Sequence, residues 1–235
     1  DFCLAVYPGK QYAFVGQNGC GKSTVIKLLT GLYNNYSGRI LLNGRDIKSF
    51  SAAETKAYFA VVYQDYGKYQ LSVREELQLG NADLADPEIA ALLEQTGLAQ
   101  KVGSLPLGAD TPLGKLEPGS ADLSEGQWQR LALARAFGRQ ARFLVLDEPA
   151  AALDALAESR VYRVIRDIGA TRCTTTLYVT HRLAAARSAD EIIVMKDGRI
   201  IEQGTHAALL AGDSYYAQMF NTQRKWYLRR QVAEA

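Results

Sequence analysis

Gly16-Gln17-Asn18-Gly19-Cys20-Gly21-Lys22-Ser23-Thr24 runs between an apolar strand-like segment, Tyr12-Ala13-Phe14-Val15, and a segment with apolar residues at helical spacing, Val25, Ile26, Leu28 and Leu29. A strand, a glycine-rich loop closing on Lys-Ser/Thr and a helix together make the context of a phosphate-binding P-loop. Gly16, Gly19 and Gly21 allow backbone N–H groups to turn inward toward phosphate oxygens, and the helix N-terminus behind them adds partial positive charge. Lys22 is then within reach of β- and γ-phosphates, Ser23 offers a hydroxyl to Mg²⁺, and Thr24 lies at the α-phosphate end. The expected ligand is a nucleoside triphosphate, ATP with Mg²⁺.

Other strand-length apolar runs lie at Ile40 to Leu42, Phe59 to Tyr63, Phe143 to Leu146, Thr175 to Val179 and Glu191 to Met195. Helix-like segments alternate with them, which predicts a mainly parallel sheet wrapped by helices. Asn43-Gly44 and Lys196-Asp197-Gly198 are turn signals that add antiparallel hairpins. From about residue 72 to 139 the spacing is helical without strong strands, over Val73 to Leu79, Pro87 to Leu98 and Glu125 to Phe137, and predicts a helical subdomain. The core is expected over about 1–71 and 140–213. An amphipathic helix with a basic end, carrying Arg229 and Arg230, is expected over about 214–231.

The run Phe143 to Leu146 ends in Asp147-Glu148, at the carboxyl edge of a buried strand, where ligands of parallel sheets bind. Asp147 is expected to hold Mg²⁺. Glu148 points to the opposite side of the strand and is suited to polarising the water that attacks a γ-phosphate.

Composition bounds the rest. The net charge of +2 supplies no basic surface of the kind non-specific nucleic-acid binding uses, so nucleic acid is not an expected partner. Cys3, Cys20 and Cys173 are odd in number and far apart, and are read as free thiols. No apolar run reaches the roughly 20 residues of a membrane span.

The segment LSEGQWQR at Leu123 to Arg130 resembles the signature motif of ABC-type ATPases, usually LSGGQ. Gln64 in VVYQDY looks like that family's Q-loop, Ala152-Leu153-Asp154 like its D-loop, and Thr180-His181-Arg182 like its H-loop. With the P-loop and Asp147-Glu148 these stand in the family's order over nearly the whole chain. The resemblance implies a P-loop NTPase with a mainly parallel α/β sheet, an antiparallel β part and a helical subdomain. It also implies a head-to-tail dimer with a second ABC ATPase domain. ATP would lie between the P-loop of one domain and Ser124, Glu125, Gly126 and Gln127 of the other. Gln64 would touch Mg²⁺ and relay closure, His181 would contact the γ-phosphate, and Asp154 would organise the opposite monomer's site. Trp128 and Gln129 are read as packing residues without a chemical role.

Two departures from the family pattern stand out. Glu125 replaces the usual glycine and sets a carboxylate beside a site that receives triphosphate, which would slow or desymmetrise turnover. Only residues 1–15 precede Gly16, so the aromatic that stacks on adenine in the family is expected before Asp1, in a longer polypeptide. The stretch Val179 to Leu210, and Leu113-Gly114-Lys115 ahead of the signature segment, are similar to exporter-type domains. That likeness implies a transmembrane domain fused upstream, a place at the cytoplasmic face of a membrane, and a cross-contacting loop over Thr111 to Gly119. Tyr63, Tyr66, Tyr69 and Leu71 would meet the membrane domain's coupling helices. The alternatives are an importer-type or soluble ABC ATPase, or a weakly hydrolysing half of a heterodimer.

Overall fold

The computed structural model describes residues 2–115 and 119–233. In chain order the elements are β1 (Gln11–Val15), α1 (Lys22–Leu29), β2 (Leu41–Leu42), β3 (Arg45–Asp46), α2 (Ala52–Tyr58), β4 (Phe59–Val62), α3 (Val73–Gln78), α4 (Asp86–Gln95) and α5 (Ala99–Gly103). They continue with α6 (Glu125–Gly138), β5 (Phe143–Asp147), α7 (Ala155–Arg172), β6 (Thr175–Val179), α8 (Leu183–Ala186), β7 (Glu191–Lys196), β8 (Arg199–Gly204), α9 (His206–Leu210) and α10 (Tyr215–Ala233).

Six strands form one sheet in the order β4-β5-β6-β1-β7-β8. All neighbours are parallel except β7 and β8, which pair antiparallel through the Asp197-Gly198 turn. Every residue of β1 and β6 is buried, as expected of parallel strands covered on both faces. The Asn43-Gly44 turn, with both residues at positive φ, closes the separate hairpin β2–β3. The α/β fold with a mainly parallel sheet and an antiparallel part is therefore present.

Register fixes what meets at the carboxyl edge. Phe14 lies opposite Val179, Val15 opposite Val194, and Asp147 opposite Val179. The loops after β1, β5 and β6 consequently leave the sheet side by side. They carry Gly16 to Thr24, Glu148 and His181.

Several elements differ from expectation. The α4 helix stops at Gln95 because Gly97 turns the chain at φ +69°. The short α2 carries no apolar stripe; it is held by a capping box between Ser51 and Glu54 and buries only Thr55. The α10 helix starts where Glu202 of β8 accepts the Tyr215 and Tyr216 N–H groups at 2.6 and 2.9 Å. The side chains of its basic end, Arg229 and Arg230, lie outside the described residues, as does part of the Thr111 to Gly119 loop. Among the described residues no helix is long and apolar enough to cross a membrane.

The helices between β4 and β5 gather on α6, whose buried residues run from Trp128 to Gly138. Within them Glu76 is 1% exposed, accepts the Tyr69 N–H at 2.8 Å and pairs with Arg135 at 2.6 Å. Burial pushes the Glu76 carboxyl up, against the Tyr69 N–H and the Arg135 guanidinium that draw it down. Removing Arg135 alone strands a buried charge. Arg135→Met is expected to lower unfolding stability by about 3 kcal/mol, and Glu76→Gln added to it to recover much of that loss. A raised carboxyl destabilises as pH rises through its folded pKa, so denaturant unfolding should find the single variant more stable near about pH 5.5 than near about pH 8.

Candidate active site

Lys22 is 6% exposed and folds back into its own loop, donating from Nζ to the carbonyls of Gly16 and Gln17, each at 2.9 Å. The loop is seated on the neighbouring strand. A Cβ on Gly16, at φ +147°, would stand 2.2 Å from the Met195 carbonyl oxygen and 2.9 Å from Cys20 Sγ, so only glycine fits there. Gly21 takes the left-handed conformation at the start of α1, leaving the helix's first N–H groups facing outward. The Gly198 N–H in the β7–β8 turn donates to the Cys20 carbonyl at 3.0 Å and backs the loop from behind.

A cavity of about 490 Å³ opens over this loop, lined by Asn18, Gly19, Gly21 to Thr24, Gln64, Glu148, His181 and Gln223. The P-loop, the end of β5, the end of β6 and Gln64, two residues beyond β4, thus converge at one edge of the sheet. Asp147 lies beneath the cavity floor, 5% exposed, with Oδ1 buried and without a hydrogen-bond partner. Burial pushes its carboxyl up, while Ser23, Lys22 and Lys27 draw it down. An unpartnered buried carboxylate oxygen beside a serine hydroxyl fits an oxygen-seeking divalent cation that takes most of its ligands from phosphate and water. Glu148 Oε1 lies 3.1 Å from His181 Nδ1.

The signature-like residues lie elsewhere. Ser124 caps α6: its Oγ accepts the Gln127 N–H at 3.4 Å, and Gln127 Oε1 accepts the Ser124 N–H at 2.9 Å. Ser124, Glu125, Gly126 and Gln127 do not line this cavity. The Glu125 carboxylate is not left bare, as its sequence context suggested. It takes hydrogen bonds from the Tyr66 hydroxyl at 2.8 Å and from Lys68, and these contacts hold it below the usual carboxylate range, Lys68 contributing most. Asp154 accepts the Leu156 and Ala157 N–H groups at 2.9 Å, capping α7.

The three tyrosines after β4 do not form one cluster. Tyr63 bonds Thr30 at the C-terminal end of α1, Tyr66 turns to Glu125, and Tyr69 stacks on Arg135. Of Tyr63, Tyr66, Tyr69 and Leu71, Tyr69 and Leu71 are among the residues lining the groove of about 410 Å³ beside α6.

A family model described as ABC transporter matches residues 1–151, well over half of the chain. The chain belongs to the ABC transporter family. It is 39% identical to the mitochondrial iron-sulfur clusters transporter ATM1 of Saccharomyces cerevisiae over 92% of its own length and 31% of that protein's. It is 36% identical to the ATP-dependent lipid A-core flippase of Neisseria meningitidis serogroup B over 96% of its length and 35% of the relative's. Among solved structures, a bacterial Atm1-family ABC exporter with ATP bound superimposes with a TM-score of 0.86 at 33% identity, covering 94% of this chain and 38% of the other. The chain thus spans about a third of these relatives.

Two glutamines of this ABC domain escaped the sequence reading. Gln223 of α10 accepts the Leu183 N–H and donates to the His181 carbonyl, both at 2.8 Å, pinning the turn after β6. Gln129 is 4% exposed, donates to the Glu148 carbonyl and accepts the Ala152 N–H in the turn after β5, which adds to its reading as a packing residue. No local pattern marks either residue, because each partner is distant in sequence.

The strained electrostatics of Asp147 give a direct test. With its carboxyl raised, its contribution to the nucleotide-free chain worsens as pH rises through the folded pKa. Asp147→Asn should therefore melt at the same temperature as wild type or a few degrees higher without nucleotide. It should also lose the added stability that Mg²⁺-ATP confers on wild type. A large drop in the nucleotide-free melting temperature would contradict the buried-charge reading.

Proposed function

We propose that this chain is the ATP-binding and ATP-hydrolysing domain of an ABC exporter, working as one of two such domains beneath a membrane-spanning portion of the same protein. The observation that supports this most is the convergence, over one cavity, of the P-loop, Asp147, Glu148 and His181 from three adjacent strand ends. The high identity to exporters over nearly the whole chain supports the transport class.

In this reading the loop N–H groups and Lys22 bind the β- and γ-phosphates, a role for which the ammonium must leave its present carbonyl partners. Ser23 and Asp147 hold Mg²⁺, with Gln64 at its edge, and the ion would supply charge neutralisation on the phosphate oxygens when bound. Glu148 accepts a proton from the attacking water, and His181, beside that carboxylate, donates toward the γ-phosphate. Ser124 and Gly126 lie outside their own cavity and sit at a helix N-terminus, so they suit the triphosphate held by a second domain. Nucleotide then favours the closed pair, and hydrolysis removes what holds it. Residues 72–139 form the helical subdomain that carries this donor end. The groove at Tyr69 and Leu71 faces the transmembrane portion at the cytoplasmic side.

Glu148→Gln is expected to reduce Mg²⁺-dependent turnover of the full-length protein by about 100-fold or more. Its ATP affinity should stay within about threefold. Wild-type turnover in that variant would remove Glu148 as the base. The Glu125 contacts yield a second test. Lys68→Ala leaves the carboxylate unneutralised on the donor face of α6, and should raise KM for ATP a few-fold, on the order of a unit-charge penalty at short range in high dielectric. Adding Glu125→Gly should reverse most of the increase; an unchanged KM in Lys68→Ala would count against shared binding at this face.

A further inference from the structure

Glu148 sits in the left-handed region, at φ +53°, a conformation that residues with a Cβ adopt only when their surroundings impose it. Three contacts impose it here. Its N–H donates to the Val179 carbonyl at 3.1 Å, its carbonyl accepts the Ala151 N–H at 3.2 Å, and the same carbonyl accepts Gln129 Nε2 at 3.0 Å. Gln129 Oε1 in turn accepts the Ala152 N–H at 3.0 Å. Among the described residues, no other side chain hydrogen-bonds the backbone from residue 148 to 153. The loop also rests directly on α6, since a Cβ on Gly126 would come within 2.9 Å of the Ala152 carbonyl oxygen.

We infer that Gln129 is a positioning residue for Glu148: its buried amide locks the Glu148 peptide in the strained conformation and ties it to the helix whose first turn carries Ser124 and Gly126. The inference rests on the reading of Glu148 as the group that polarises water. An amide is the side chain this place requires, because it must give a hydrogen to one backbone carbonyl and receive one from a backbone N–H four residues further on. Without the donor, the Glu148 peptide is free to rotate toward the negative φ that any residue bearing a Cβ favours. The carboxylate then swings away from His181, which it now meets at 3.1 Å. With the donor present, the end of α6 that faces a second domain and the carboxylate at this chain's own phosphates move as one body. Arrival of the partner's triphosphate at α6 is thereby felt at Glu148.

Gln129→Glu isolates the donor, because it keeps the side-chain shape and the acceptor for Ala152 while placing an oxygen against the Glu148 carbonyl. In the full-length protein it should lower kcat by about 10-fold or more, with KM and ATP affinity within about threefold, the pattern of a group that acts only in the chemical step. Gln129→Met, which removes both hydrogen bonds without a charge, should show the same split. In a Glu148→Gln background neither substitution should lower the residual rate further, because the carboxylate they orient is gone. Full kcat in both variants would overturn the assignment. So would an equal fold-loss in the Glu148→Gln background, or loss of ATP binding along with turnover, which would make Gln129 a folding residue. Wild-type turnover in Glu148→Gln alone would overturn the base reading on which this rests, whereas collapse there with full turnover in Gln129→Glu overturns Gln129 by itself.

Discussion

The loop between β1 and α1 has to turn through left-handed backbone while packed against the end of β7, and the rest of the site depends on that constraint. Gly16 meets it by having no Cβ where the Met195 carbonyl stands 2.2 Å away, and Gly21 by opening α1 in the left-handed conformation. Once the loop is seated on β7, the parallel register brings the ends of β5 and β6 to the same edge. Glu148 and His181 reach the cavity from those ends, and Asp147 lies beneath its floor. The placement of the chemistry follows from strand pairing, and each strand contributes through the first residues beyond its hydrogen-bonded run.

What pairing does not set is the state of each group. Asp147 is buried without a partner for Oδ1, an arrangement unfavourable to the empty chain and favourable to one holding a cation. Glu148 is held in a backbone conformation it would not choose, stitched from below by Val179 and from the side by Gln129. Both features store local instability at the carboxyl edge of the sheet, and both are held by neighbours on other elements. The α6 helix has a double attachment: its first turn bears Ser124, while one turn later Gln129 grips the Glu148 loop. A change at the outer end of that helix has a short path to the carboxylate.

The residues around Gly16 to Thr24 were legible because the motif is local: glycine, lysine and hydroxyl side chains act on one ligand from one turn. Asp147-Glu148 was legible because an acidic pair closing a buried strand stands in the same chain as the P-loop. Both hairpins also announced themselves through short-range turn chemistry. Gln129 and Gln223 did not, since a glutamine on a helix reads as surface until its distant backbone partners are placed beside it. For the same reason Tyr63, Tyr66 and Tyr69 looked like one aromatic patch, although the chain after β4 turns each toward a different neighbour. The fate of the Glu125 charge was hidden too, because Lys68 and Tyr66 neutralise it from 57 and 59 residues away.

If the P-loop backbone and Lys22 carry the affinity, the ligand is held by its phosphates, and competition for ATP binding measures this most directly. Inorganic tripolyphosphate with Mg²⁺ should displace a fluorescent ATP analogue from the protein, and Lys22→Ala should abolish that displacement, whereas adenosine should fail to compete even near its solubility limit. Displacement by adenosine with no effect of tripolyphosphate would place the binding energy on the base and contradict the phosphate-anchored site.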